Sequence, residues 1–250
     1  MLQPTRKIVA VGGGDVPAGA TLAIDRRITA LTGKKRPRAL LIPTASGDPE
    51  NALVPFQRIY GKRLRCETDV LFLLRTSPRP RAIRDTILGA DIVYVPGGNT
   101  LQMMRRWRHL GVDRVLRDAW RRGVVLAGVS AGAICWFASG HSDSMAYYHP
   151  DDWQYIRVRG LGFLSGSLCP HYNKRTRVRA FRQMMARRGG LGLGVQDCCA
   201  VEFVDDRYRV IASKPTARAF RLVKRKGKIV SKAIPQRRTY SPIAELCGQE

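Results

Sequence analysis

Acidic residues are scarce in this chain. It carries 19 Asp and Glu against 44 Lys and Arg, a formal charge of +25 over 250 residues. Such a surface attracts polyanions in general. Yet the arginines are dispersed over what read as solvated helix faces (Arg105, Arg106, Arg108, Arg114, Arg117, Arg121, Arg122), and no zinc-finger spacing or RNP-like motif accompanies them. Specific nucleic-acid binding is therefore not expected. Long apolar runs are missing too: none approaches the roughly 18 residues that a bilayer span needs. The first residues lack the charged-then-apolar layout of a signal peptide. The expectation is a cytoplasmic protein with no membrane partner. Cysteine signals are equally thin. Cys66, Cys135, Cys169, Cys198, Cys199 and Cys247 form no C-x-x-C pair, and the adjacent Cys198-Cys199 suits one zinc poorly. Reduced, structural thiols follow, with neither metal nor cofactor.

What is present is alternation. Short apolar runs alternate with amphipathic segments, the pattern of βαβ units on a parallel sheet. Strands are expected at 7–11, 38–43, 68–73, 90–95 and 124–129. Helices are expected at 18–32, 50–63, 80–88, 100–108, 112–122, 131–137 and 177–187. After Gly140 the pattern turns irregular, and four short antiparallel strands are read at 200–204, 208–212, 220–223 and 229–234, the last two joined by an exposed hairpin at Lys226-Gly227. One domain over 1–250 fits this length. The Gly12-Gly13-Gly14 run lacks the full G-x-G-x-x-G spacing and an acidic ribose partner. It reads as a tight turn.

The strand at 124–129 ends in Gly128-Val129-Ser130-Ala131-Gly132, a G-x-S-x-G nucleophile elbow. Glycines flanking the serine are expected to let the chain turn sharply and expose its hydroxyl. The plain alternative is a strand-to-helix turn whose Ser caps the helix.

A serine hydroxyl needs a base to take its proton. Among the four histidines, His109 lies on a basic helical stretch, and His141 and His149 flank a polar segment that could face substrate. His171 follows Cys169-Pro170 at the end of an apolar approach. An orienting carboxylate comes from Asp143 or Asp197, and composition does not choose between them. For the oxyanion, Ala131 N–H and the Gly97-Gly98 turn are the candidate donors. The plain reading of the latter is a strand-to-helix turn capped by Asn99 or Thr100.

In combination, Val95-Pro96-Gly97-Gly98-Asn99-Thr100, Gly128-Val129-Ser130-Ala131-Gly132-Ala133 and Cys169-Pro170-His171-Tyr172 resemble the peptidase E family of serine peptidases, which includes aspartyl dipeptidases and, more distantly, cyanophycinase. The resemblance spans about 5–213 and leaves 214–250 as a basic extension of unknown role. It implies an α/β fold like class I glutamine amidotransferases: three layers, a mostly parallel sheet with helices on both faces, and serine in place of the cysteine nucleophile. It further implies cofactor-free hydrolysis of small peptides, with N-terminal aspartate as the favoured residue. Ser130 then matches the nucleophile, His171 the base, and Gly98 and Ala131 the oxyanion donors. Asp143 and Asp197 both match positions regarded as the third triad member, with Asp143 slightly favoured. Arg177 falls where aspartyl dipeptidases place an arginine for the substrate carboxylate, and Asn99 is carried as a substrate-binding neighbour. A homodimer is compatible with this reading. The rival readings are an esterase or amidase on the same elbow, and a catalytically silent basic binding module.

Overall fold

A computed structural model describes residues 4–247. The elements follow in order as β1 (Lys7–Val11), α1 (Leu22–Ala30), β2 (Arg38–Leu41), α2 (Leu53–Phe56, running into a π-helical stretch at Gln57–Arg63), β3 (Glu67–Val70), α3 (Pro80–Leu88), β4 (Ile92–Val95), α4 (Thr100–Leu110), α5 (Val112–Arg121) and β5 (Val125–Val129). The second half holds α6 (Ala131–Ile134), β6 (Phe137–Ser142), β7 (Ile156–Arg159), β8 (Leu164–Pro170), α7 (Arg175–Arg188), β9 (Gly192–Val195), β10 (Cys199–Val204), β11 (Arg207–Ala212), β12 (Ala219–Arg225), β13 (Lys228–Ile234), β14 (Ser241–Pro242) and α8 (Ala244–Cys247).

The main sheet has the order β14-β11-β10-β1-β5-β4-β2-β3. Strands β1, β5, β4, β2 and β3 run parallel, β10 pairs antiparallel with β1, and β11 pairs antiparallel with β10. Its central strands read as unbroken apolar runs because helices bury both faces. On β1, Ile8 and Ala10 join one core cluster with Met103, Met104 and Trp107 of α4, while Val9 and Val11 join the other with Ile24 and Ile28 of α1. Alternation survives, but as a choice between two interiors. The fold is the mixed α/β architecture with helices on both sides of the sheet.

Two departures from the sequence reading matter for the site. The helix expected over 131–137 stops at Ile134, and β6 begins at Phe137. Its last carbonyls are taken by the chain arriving at 160–164: Leu161 N–H donates to Cys135 O (2.7 Å) and Phe163 N–H to Trp136 O (2.9 Å). The tract read as irregular instead holds β6, β7 and β8, which with β9, β12 and β13 form a second sheet in the order β13-β12-β9-β8-β6-β7. The Lys226-Gly227 turn joins β12 to β13, with both residues at positive φ (47° and 78°), as a two-residue hairpin of this twist requires. Residues 219–222 also pair with β9, and 241–242 extend the main sheet.

Candidate active site

Strand β5 ends against two neighbours at once. A Cβ on Gly128 would lie 2.7 Å from Val95 O, and one on Gly132 would lie 2.6 Å from Val95 C and overlap its oxygen. Neither glycine adopts a positive φ. Ser130 does, with φ 56° and ψ −110°. The flanking glycines thus serve close approach of β4, β5 and α6, and the strained residue is the serine itself. Strain of this kind costs about 1–3 kcal/mol and persists only where the surroundings over-determine it. Here Ser130 N–H donates to Val11 O (3.0 Å), and its carbonyl accepts from Ala133 and Ile134 N–H (3.0 Å each).

His171 stands just past β8, also at positive φ (61°), and its N–H donates to Gly12 O (3.1 Å). Asp197 stands two residues past β9. The parallel pairing of β8 with β9, which aligns Pro170 with Val195, brings the two side chains together. His171 Nδ1 lies 2.6 Å from Asp197 Oδ1, and His171 Nε2 lies 2.9 Å from Ser130 Oγ. The hydrogen bond from His171 and that from Asn173 hold the Asp197 carboxyl below the usual carboxylate range, against the opposing effect of partial burial. An ionised Asp197 can only accept, so Nδ1 carries the proton and Nε2 is left to accept from the Ser130 hydroxyl. Asn173 fixes the carboxylate from the far side: its Nδ2 donates to Asp197 Oδ2 (3.0 Å) and its Oδ1 accepts from Asp197 N–H (3.2 Å).

The glycine run after β1 forms the floor of this constellation. Cys198 N–H donates to Gly13 O (2.9 Å) and Gly12 N–H to Cys199 O (2.9 Å). A Cβ on Gly13 would overlap Asp197 Oδ1 and fall 2.6 Å from His171 Cε1. In the sequence this run reads as a tight turn, with no signal that His171 and Asp197 rest on it. Nor does the sequence signal Asn173.

Gly97 packs directly on the serine, its hypothetical Cβ lying 3.4 Å from Ser130 Cβ. Gly98 has φ 137°, and a side chain there would drive into Ala45. Neither the Gly98 nor the Ala131 amide donates to an acceptor among the described residues. Both are therefore available to an oxyanion.

The remaining candidates have other partners. Asp143 is not in contact with His171; it accepts from Arg177 Nη2. Arg177 is buried, with its guanidinium over the Tyr155 ring at 4.9 Å. Asn99 is buried and caps α4, its Oδ1 accepting from Gln102 N–H (3.0 Å). His141 is buried in β6, stacked on Tyr155 at 4.5 Å, and burial pushes its pKa down to about 3. Burial thus favours its neutral form. His109 and His149 are exposed. Cys66, Cys135, Cys169, Cys198 and Cys199 are free and buried, while the side chain of Cys247 lies outside the described residues. Among the described residues no three His, Cys, Asp or Glu side chains converge as a metal-binding set, and no helix is long and apolar enough to cross a membrane.

Two recesses lie near these residues. One of about 390 Å³ opens at the carboxyl ends of β1, β2, β4 and β5, where ligands of open α/β sheets gather. The other, of about 520 Å³, lies beyond Tyr155 between β7 and α7; neither recess is lined by Ser130, His171 or Asp197 themselves, but the first reaches Val129, Pro96 and Gly14.

Comparison with known proteins gives the family and the fold. The profile of peptidase family S51 matches residues 8–211. The uncharacterized peptidase YgaJ of Bacillus subtilis (strain 168) is 33% identical over 234 residues, covering 92% of this chain and 97% of that one. The crystal structure of a peptidase from an acI-B1 Actinobacterium superposes with a TM-score of 0.71 at 17% identity, over 95% of this chain and 96% of that chain.

Proposed function

The chain belongs to peptidase family S51, a serine-type peptidase and hydrolase, and from that membership we propose that it is an exopeptidase cleaving short peptides through Ser130, His171 and Asp197. The observation that carries this reading is the unbroken relay from Ser130 Oγ to His171 Nε2 (2.9 Å) and from His171 Nδ1 to Asp197 Oδ1 (2.6 Å). His171 takes the hydroxyl proton as Oγ attacks the peptide carbonyl, and Asp197 stabilises the imidazolium that forms. The Ala131 and Gly98 amides receive the oxyanion, each such donor being worth roughly 3 kcal/mol. His171 then protonates the leaving amine. Water, activated by the same imidazole, hydrolyses the acyl-enzyme and restores Ser130.

The Asp-Xaa preference implied by the resemblance requires a cation free to meet the substrate carboxylate. Arg177, the residue matched to that role, is engaged with Asp143 and buried. The proposal therefore extends to short peptides without fixing aspartate as the N-terminal residue. Turnover of a dipeptide panel, with Asp-Ala included, by wild type and Ser130→Ala tests it. A loss of at least about 10⁴-fold in kcat is expected on removing the nucleophile. Equal turnover by the two proteins overturns the reading.

A further inference from the structure

Resting on the proposed Ser130 chemistry, we propose that the recess of about 390 Å³ that reaches Val129, the residue before Ser130, receives the side chain of an apolar N-terminal residue, and that Asp15 holds the α-ammonium of that residue. Its position comes from chain connectivity. Val129 precedes the nucleophile, Pro96 precedes the glycine packed on Ser130, and Gly14 follows the glycine beneath His171; all three line the recess. The walls are Leu41, Phe56 and Tyr94, with further prolines and no lysine or arginine. In a chain with 44 Lys and Arg, a lining free of them is informative. Binding pockets of this kind take an apolar group and fix it with few polar contacts.

Asp15 supplies the polar contact. It is the only carboxylate lining the recess, it is exposed, and no Lys or Arg pairs with it among the described residues. One of its oxygens, Oδ1, accepts from Ala18 N–H (2.9 Å), which orients the group and leaves the second oxygen open. A primary ammonium with three donors suits such an acceptor through a charge-assisted hydrogen bond. An N-terminal aspartate would meet the opposite conditions, its carboxylate desolvated among apolar walls and repelled by Asp15. A chain continuing on the amino side would lack the charge that Asp15 recognises, which accounts for action at the terminus.

The test compares kcat/KM for Leu-Ala, Phe-Ala, Asp-Ala and N-acetyl-Leu-Ala, with p-nitrophenyl acetate hydrolysis as a readout of Ser130 that needs neither side chain nor amine. Leu-Ala and Phe-Ala are expected to exceed both Asp-Ala and N-acetyl-Leu-Ala by at least about tenfold, the scale on which such pockets discriminate. Asp15→Asn should collapse the ratio of free to acetylated Leu-Ala by a similar factor. Ser46→Trp, from an exposed position on the rim, should lower the ratio of Phe-Ala to Gly-Ala turnover. If Ser130-dependent ester hydrolysis persists while Asp-Ala equals Leu-Ala, or while Asp15→Asn leaves the amine ratio unchanged, the pocket proposal is overturned and the nucleophile stands. Ester hydrolysis that is unchanged in Ser130→Ala overturns the catalytic reading and the pocket proposal with it.

Discussion

Arg177 and Asp143 satisfy one another. The Arg177 side chain is only 2% exposed, and its guanidinium donates to Asp143 Oδ2 and lies over the Tyr155 ring at 4.9 Å. One ion pair thereby bears on two roles that the residue types left open. It engages Asp143 away from His171, and it engages the cation that the resemblance matches to a substrate carboxylate. The guanidinium has been taken from water while Asp143 stays 37% exposed, so the carboxylate is the charged partner of a buried cation.

The two aspartates should therefore separate on mutation. Asp197→Asn is expected to lower kcat by about 10⁴-fold, because the amide can donate to Nδ1 and favours the wrong imidazole tautomer. Asp143→Asn should cost about 1–2 kcal/mol of stability, because the buried guanidinium loses its charged partner but keeps the Tyr155 ring and Pro170 O, while kcat stays within about tenfold. Paired measurement of kcat and urea unfolding for the two variants checks this. A larger kcat loss in Asp143→Asn than in Asp197→Asn would falsify the assignment.

Gly13 offers a second check, since its backbone conformation is open to any residue. The nearest atoms that an added methyl would meet are Asp197 Oδ1 and the His171 ring. Gly13→Ala should thus lower kcat by about 10²-fold through misplacement of the base, with little change in melting temperature. Retention of kcat within threefold would show that the floor of the triad is softer than its packing indicates.

Much of this site was legible because the signals are local. The apolar runs of β1, β4 and β5 read as buried strands, and Ser130 lies at the end of one of them. The second sheet was not legible, for a physical reason. Its strands carry Ser139, Gly140, Ser142, Ser165, Gly166 and Ser167, small residues with low strand preference that are ordered here by tertiary contacts. A Cβ on Gly140 would lie 2.5 Å from Ile134 Cγ2, and Ser139 Oγ sits 2.6 Å from Ser167 Oγ. The choice between Asp143 and Asp197 was hidden likewise, because it depends on the register of β8 against β9 across 26 residues.

Asp25 gives a prediction about pH. It is fully buried on α1 and accepts hydrogen bonds from Thr21 Oγ1 (2.8 Å) and Tyr60 Oη (2.9 Å). Burial raises its pKa from 3.8 to about 6 against those two bonds. The folded state thus holds a proton that the unfolded state has released, so this contribution is complete below about pH 4 and is lost as pH rises through 6. The full loss corresponds to about 3 kcal/mol. Urea unfolding of wild type and Asp25→Asn at pH 4.5 and pH 8 should show the variant gaining on wild type at the higher pH. Parallel stability curves would contradict the buried-acid account.

Glu202 on β10 has the opposite linkage. It is fully buried, takes a two-pronged contact from Arg27 (2.8 and 2.9 Å), a further one from Arg209 (3.1 Å), and accepts from Tyr240 Oη. Burial alone would raise its pKa, but the bonds from Arg27 and Tyr240 and the two positive charges outweigh it and hold the carboxyl below its ordinary 4.5. Its stabilisation is present above that value and fades as pH falls through the depressed one. Through Tyr240 the same carboxylate ties the chain beyond β13 to the main sheet. Glu202→Gln removes the charge that two guanidinium groups share, and both remain partly buried. A cost of about 2–4 kcal/mol follows, less than for a fully enclosed triad because Arg27 is one-third exposed. For a domain of this size each kcal/mol lowers the melting temperature by about 2–4 °C. In a double-mutant cycle, Arg27→Met should cost much less in the Glu202→Gln background than in wild type. Additive costs would mean that the buried carboxylate is not organising these arginines.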